Sequence, residues 1–290
     1  MTMATQQTAA QLRHDDGRYG DGRSGGGHVT FGRVLRSEII KFRSLLSTLV
    51  LVLATVAVLV GFGALGAWGV GSALEATGPE AFMAEGGPDR IANTLAGSGV
   101  TFAQLIIGSL AVLVISSEFA TGSARSTFAA VPKRYPVFLA KVLLVAVVSF
   151  VVSAGSMLLT AMVINPIVEH YGLEQDTGSG DFQRMLWIGS LYVTAVALSG
   201  FALGALLRNS AGAIVSLAGL FFVLPVACQL IPGEFVADLR RFLPSEAASQ
   251  LITGSTGPET LELWQSWVVL GAWVVVPLAL AGTVLQRRDV

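Results

Sequence analysis

The chain has 290 residues, of which 53% are hydrophobic and only 13% charged, and its net charge is −1. Mean hydropathy is +0.68, a balance that no ordinary soluble domain of this length shows. That composition excludes a soluble enzyme, leaves no segment between the apolar runs large enough for a separate catalytic domain, and gives no expectation of a nucleic-acid partner.

The elements are predicted in chain order. Residues 1–29 are rich in Gly, Gln, Asp and Arg and predict a disordered tail, with His14 and His28 as solvated tail residues. Residues 30–43, TFGRVLRSEIIKFR, predict a helix. Phe31, Val34, Leu35, Ile39 and Phe42 fall on one face, and Arg33, Arg36, Lys41 and Arg43 fall mostly on the other. A basic amphipathic helix beside a membrane span suits the lipid interface; a polar extension of the first span is the alternative.

Six windows then contain no Asp, Glu, Lys or Arg: 44–74, 91–117, 142–168, 185–207, 209–233 and 263–286. Even the shortest makes a helix of roughly 35 Å, longer than a hydrocarbon core of about 30 Å. Backbone polar groups cannot stay unpaired in lipid, so each window predicts a membrane-spanning helix. The spans are placed at about 45–71, 99–117, 138–164, 185–207, 210–231 and 264–286, within one domain covering 30–290. The third span is expected to end at Asn165-Pro166. Gly200 and Gly204 form a small-x-x-x-small pair suited to packing within the chain.

The connections alternate in charge. Segments 1–43, 118–141, 208 and 287–290 hold fourteen of the eighteen basic residues. Lys and Arg favour the cytoplasmic side, so both termini are expected there, in a multi-pass protein of a bacterial plasma membrane. The connection 234–262 carries a helical stripe of Phe235, Val236, Leu239, Phe242 and Leu243, then Pro244 and Ser245. It predicts two short helices over 234–253, on or dipping into the outer leaflet, or else a plain surface cap.

The windows hold no His, Asp or Glu, which excludes intramembrane proteases of the Ser–His, metal and aspartyl kinds. The same gap argues against proton- or ion-coupled secondary transport, less strongly for sodium, which hydroxyls and unwound carbonyls can bind. The lysines are Lys41, Lys133 and Lys141 alone, none preceded by Gly, so a phosphate-binding Gly-Lys-Ser/Thr loop is impossible. The single cysteine, Cys228, is expected to pack as a small apolar residue.

The segment 118–136 is basic and lies between the second and third spans. SEFATGSARSTFAAVPKRYPVFLAKVLL resembles the characteristic stretch of ABC-2 type ABC transporter permeases, at Glu118, Phe119, Gly122, Arg125, Thr127, Pro132, Lys133, Arg134, Ala140 and Lys141. RSEIIKFRSLLST is similar to that family's N-terminal segment, at Ser37, Glu38, Lys41, Arg43 and Ser44. The likeness is specific over 33–48 and 116–145. The chain departs from the pattern at Ile39, where an aromatic is usual, and lacks the fused ATPase of some exporters.

The resemblance implies an all-α ABC-2 (type V-like) exporter fold with six spans. The N-terminal helix, with Arg36, Glu38, Lys41 and Arg43, would be its elbow helix. Glu118, Phe119, Gly122, Arg125, Thr127, Pro132 and Arg134 would belong to a coupling helix seated in an ATPase subunit. Helices over 234–253, with Phe235, Leu239 and Phe242, would close the outer side. Phe102, Ile106 and Leu110 of the second span and Phe221, Phe222 and Leu224 of the fifth would line the path of an amphipathic or lipid-like substrate. Two such chains and two ATPase chains would form the transporter, in contact with membrane lipids. This chain would bind no cofactor; ATP and Mg would enter through the partner. A stand-alone secondary transporter and a non-transporting scaffold are the competing readings.

Overall fold

The computed structural model describes residues 30–120, 134–254 and 260–287. The expected tail 1–29 and the heart of the basic segment, 121–133, lie outside them. Among the described residues regular structure is entirely helical. Helix α1 (Phe31–Ser44) is followed by α2 (Leu46–Thr77), a 3-10 turn (Pro79–Glu85) and α3 (Pro88–Thr94). After a second 3-10 turn (Leu95–Gly97) come α4 (Val100–Ala120), α5 (Arg134–His170) and α6 (Gly180–Leu207). Helix α7 (Ser210–Ala218) passes through a π-helical turn (Gly219–Val223) into α8 (Leu224–Leu230). Two short helices, α9 (Glu234–Arg240) and α10 (Pro244–Thr253), precede α11 (Leu263–Arg287).

Among the described residues, six helical stretches are long and apolar enough to cross a membrane: Leu46–Thr77, Pro88–Phe119, Tyr135–His170, Gly180–Leu207, Ser210–Leu230 and Leu263–Leu285. Their bounds differ from the sequence-based ones where local chemistry intervenes. The first runs on to Thr77 and ends at Gly78, whose φ of 77° closes the helix. The second is broken: Pro88 starts α3, and the chain re-aims over Leu95–Gly97 before α4. The third does not stop at Pro166 but continues to His170. Ile164 and Val168, both 0% exposed, pack there with Ala67, Leu95 and Leu173. That burial outweighs the one backbone hydrogen bond a proline removes.

Helix α6 is the centre of the bundle and touches α4, α5, α10 and α11. Its small residues explain why. Between apolar helices in lipid, attraction comes from close van der Waals packing, which small side chains permit. A Cβ on Gly200 would sit 2.7 Å from the Gly108 carbonyl oxygen of α4. One on Gly204 would meet Ile115 Cγ2 at 2.7 Å and the Val112 carbonyl oxygen at 3.0 Å. The two backbones are therefore in contact. Three buried hydroxyls of α6 are satisfied locally: Ser190, Thr194 and Ser199 each reach a carbonyl one turn back, at 2.6, 2.8 and 2.9 Å. Ser199 Oγ also lies 2.7 Å from the Trp273 carbonyl oxygen of α11.

At one end of the bundle α3 acts as a clasp. Its Asn93 accepts from the Asp176 N–H at 2.8 Å and its Asp89 from the Glu174 N–H at 3.1 Å. Arg90 donates to the Thr253 carbonyl at 3.1 Å and pairs with Asp181 at 3.5 Å. At the other end α6 turns into α7 through Arg208, which adopts φ 51°, and Asn209, whose Oδ1 accepts from the Gly212 N–H at 3.0 Å. Asn209→Ala removes this cap and is expected to cost about 1 kcal/mol, read as a lower midpoint of thermal unfolding in detergent.

Candidate functional site

The inner face of α1 is not the purely apolar stripe that its spacing predicts. Val34 and Glu38 are buried, whereas Phe31 and Ile39 are exposed. Glu38 comes one turn after Val34, so the carboxylate points where the apolar face should be. What receives it is Lys141, in the first turns of α5 and 103 residues away in sequence, with Nζ to Oε2 at 2.5 Å. Lys141 Nζ also donates to Glu118 Oε1, in the last turn of α4, at 2.8 Å. Lys41, one turn on from Glu38, reaches Glu118 at 3.3 Å and Glu38 at 3.5 Å.

The four groups close a ring: Glu38 joins both lysines, and so does Glu118. The side chains of Lys141 and Glu38 are only 3% and 4% exposed, and that of Glu118 is 12%. Lys41 is the accessible member at 47%. Burial pulls the Lys41 pKa down, but Glu118 and then Glu38 beside it more than offset that, and the net shift is upward. A raised value means that the ring's stabilisation from this ammonium is complete at neutral pH. It is lost only as pH climbs past the ordinary lysine range.

The ring carries no net charge. A buried ionic cluster adds little net stability against an apolar equivalent, but removing one member strands its partners. Its effect here is positional. α1 can dock on α5 in one register, with Val34 against Val137 and Ala140. Phe138 packs on Phe201 of α6, with ring centroids 5.6 Å apart. The start of α5 is thus locked to both α1 and the central helix.

The end of α4 is held as firmly. The guanidinium of Arg208 lies over the Phe119 ring at 5.1 Å. Ser116 and Ser210 are hydrogen-bonded at 3.1 Å. Both flanks of segment 121–133 therefore rise from a rigid platform built by α1, α4, α5 and the α6–α7 turn. A cleft of about 290 Å³ opens beside the ring, between α1, α4 and α5.

The sequence-predicted residues distribute as follows. Glu38, Lys41, Glu118 and Phe119 converge on this platform. Arg36 and Arg43 are exposed on α1. Arg134 is the first residue of α5. Gly122, Arg125, Thr127 and Pro132 lie outside the described residues. The six residues assigned to a substrate path do not share one face. Leu110 belongs to the interior cluster with Phe138 and Phe201, and Phe221 is buried against Trp273. Phe102 stacks on Phe62 at 4.5 Å and lies 6.1 Å from Phe222, forming an aromatic patch that reaches the surface. Ile106 and Leu224 are half-buried. The stripe of residues 235–243 is broken because α9 ends at Arg240. Phe235, Leu239 and Phe242 are exposed, while Leu243 turns inward.

Three features escaped the sequence reading. Lys141 matched a family pattern but was given no partner; its signal was a lysine inside the apolar run Val137–Leu144. Arg208 was read only as a basic residue between two spans. The π-helical turn had no signal in periodicity. It is steadied by the side chain of Gln104, 2% exposed, whose Nε2 donates to the Phe221 carbonyl at 3.3 Å. A scan against protein-family models and a search of curated proteins find no match to this chain.

Proposed function

We propose that this chain is the membrane-spanning permease subunit of an ATP-driven exporter, powered by a separate ATPase chain that docks on segment 118–136. The observation that carries the proposal is the ring of Glu38, Lys41, Glu118 and Lys141. It ties the N-terminal helix and the ends of two apolar helices into one rigid piece, at the two points where segment 121–133 leaves and re-enters the bundle. A push on that segment would move α1, α4 and α5 together rather than bend a loose loop.

The sequence supports the same reading. The chain has no phosphate-binding loop, so nucleotide and magnesium would be held by the partner. Lys and Arg collect on the side of the ring, which would make it cytoplasmic, with both termini, in a bacterial plasma membrane. Two copies of this chain, or this chain and a homologue, would pair with two ATPase chains in the ABC-2 arrangement. The aromatic patch of Phe62, Phe102 and Phe222 would suit an amphipathic or lipid-like substrate.

Affinity purification of the tagged chain from its native membrane tests this. The wild type is expected to retain an ATPase carrying a Gly-Lys-Ser/Thr loop. Arg125→Glu combined with Arg134→Glu is expected to lower that recovery roughly tenfold, as loss and reversal of charge-assisted contacts would do. Full recovery with both charges reversed would sink the docking assignment.

One observation favours a second reading. Glu38, Glu118 and Lys141 are ionisable groups withdrawn from water at the edge of the spans, as in ion-coupled transporters. Each carboxylate is already held in place by two lysines, whereas a coupling carboxylate must move or change its charge as the ion passes. Substrate movement driven by an ion gradient, in vesicles holding this chain alone, would establish that reading in place of the first.

A further inference from the structure

The cleft beside the ring has two unlike halves. Its polar lining is Glu38, Lys41, Glu118 and Lys141, of which Lys41 is the accessible member, and Leu45, Val114 and Leu144 supply apolar lining. The polar half lies where one apolar stretch begins at Leu46 and another ends at Phe119; Leu45 stands at the start of the first, and Val114 and Leu144 lie about a turn deeper than Glu118 and Lys141 along α4 and α5. This is the boundary between headgroups and acyl chains for any membrane these helices cross. The volume of about 290 Å³ is near the lower end of ligand pockets, roughly 300–1,000 Å³, and suits a headgroup with the first methylenes of its chain.

We propose that this cleft binds the headgroup of a zwitterionic phospholipid bearing a primary ammonium. Such a headgroup is complementary in charge to the ring. The ring sums to zero, so an anionic headgroup gains no net attraction from it. A headgroup carrying both signs meets both. Its phosphate fits the half-exposed Lys41 ammonium, and its own ammonium fits the Glu118 carboxylate. A primary ammonium can donate hydrogen bonds to that carboxylate, whereas a quaternary choline cannot. Lipid so held would bridge α1 to α4 and fill the apolar gap between them. The inference needs the helices to lie in a bilayer; it needs neither transport nor an ATPase, so the two proposals fail separately.

The test uses the full chain in nanodiscs doped with photoactivatable phospholipids. The reactive diazirine sits near the headgroup end of an acyl chain, and adducts are mapped by mass spectrometry. Phosphatidylethanolamine, phosphatidylcholine and phosphatidylglycerol probes are compared at equal mole fraction. The ethanolamine probe is expected to label peptides bearing Leu45, Val114 and Leu144 roughly tenfold above the other two, the size of one charge-assisted hydrogen bond. Lipid-facing Val275 and Val276, both exposed on α11, serve as the reference and should label equally with all three. Leu45→Trp, at an exposed position just before α2, is expected to block the cleft and return its labelling to the reference level. Lys41→Ala should abolish the headgroup preference. Equal labelling by all three probes on the wild type would mean annular lipid only and would overturn the proposal, whatever the variants do. Unchanged labelling in a folded Leu45→Trp would overturn it as well.

Discussion

Lys141→Met is expected to release the N-terminal helix from the bundle. The substitution leaves Glu38 and Glu118 facing one ammonium instead of two, and Glu38 is only 4% exposed with nowhere to solvate its charge. Stranding a buried charge in this way costs roughly 3–5 kcal/mol. The loss should appear as a lower unfolding midpoint and as faster amide hydrogen exchange across residues 31–44. The informative comparison is the double variant Glu38→Met with Lys141→Met. It removes one charge of each sign and leaves Lys41 with Glu118, 3.3 Å apart. Apolar replacement of a buried pair is close to neutral, so the double variant should recover to within about 1–2 kcal/mol of wild type. A single variant as stable as wild type, or a double variant worse than the single, would show that the ring does not hold the platform.

Gly200→Ala is expected to be costly for a different reason. The added methyl would fall 2.7 Å from a backbone oxygen of α4, and backbone cannot rotate away as a side chain can. The helices must separate, at about 1–3 kcal/mol for one carbon. Gly200→Leu should abolish folded protein in detergent, because α6 contacts α3, α4, α5, α7, α10 and α11 and its displacement opens them all. Gly61→Ala in α2 is the control. Beyond the backbone of its own helix no atom lies within 4 Å of its added carbon, so stability should stay within about 0.5 kcal/mol of wild type. Equal effects at the two glycines would contradict the close α4–α6 contact.

The six long apolar helices were legible because length and absence of charge are local properties. Boundaries were less so. The extension past Pro166 depends on Ile164 and Val168 finding α2, and the break at Leu95–Gly97 follows from Pro88 starting a separate helix. The ring was half legible. Glu38, Lys41 and Glu118 stood out as charges beside apolar windows. Periodicity gave Glu38 no place on the inner face because nothing within 31–44 announces a cation 103 residues away. The same limit applies to the six residues assigned to a substrate path. Helical spacing places Leu110 and Phe221 beside Phe102 and Phe222 on paper, but only tertiary packing decides which of them turns inward. The π-helical turn was invisible, since it arises from one extra residue in a turn otherwise uniform in sequence.

The central claim is that force from a separate ATPase enters through the segment between α4 and α5. Native mass spectrometry of the complex purified from its own membrane tests it most directly, on wild type and on a variant lacking residues 121–131, which keeps Phe119 under Arg208. The account predicts two ATPase chains with two copies of this chain or with this chain and one homologue in the wild type. It predicts none with the deletion, whose unfolding midpoint should stay near that of wild type. A wild-type chain that purifies without an ATPase, or a deletion that keeps one, would contradict it.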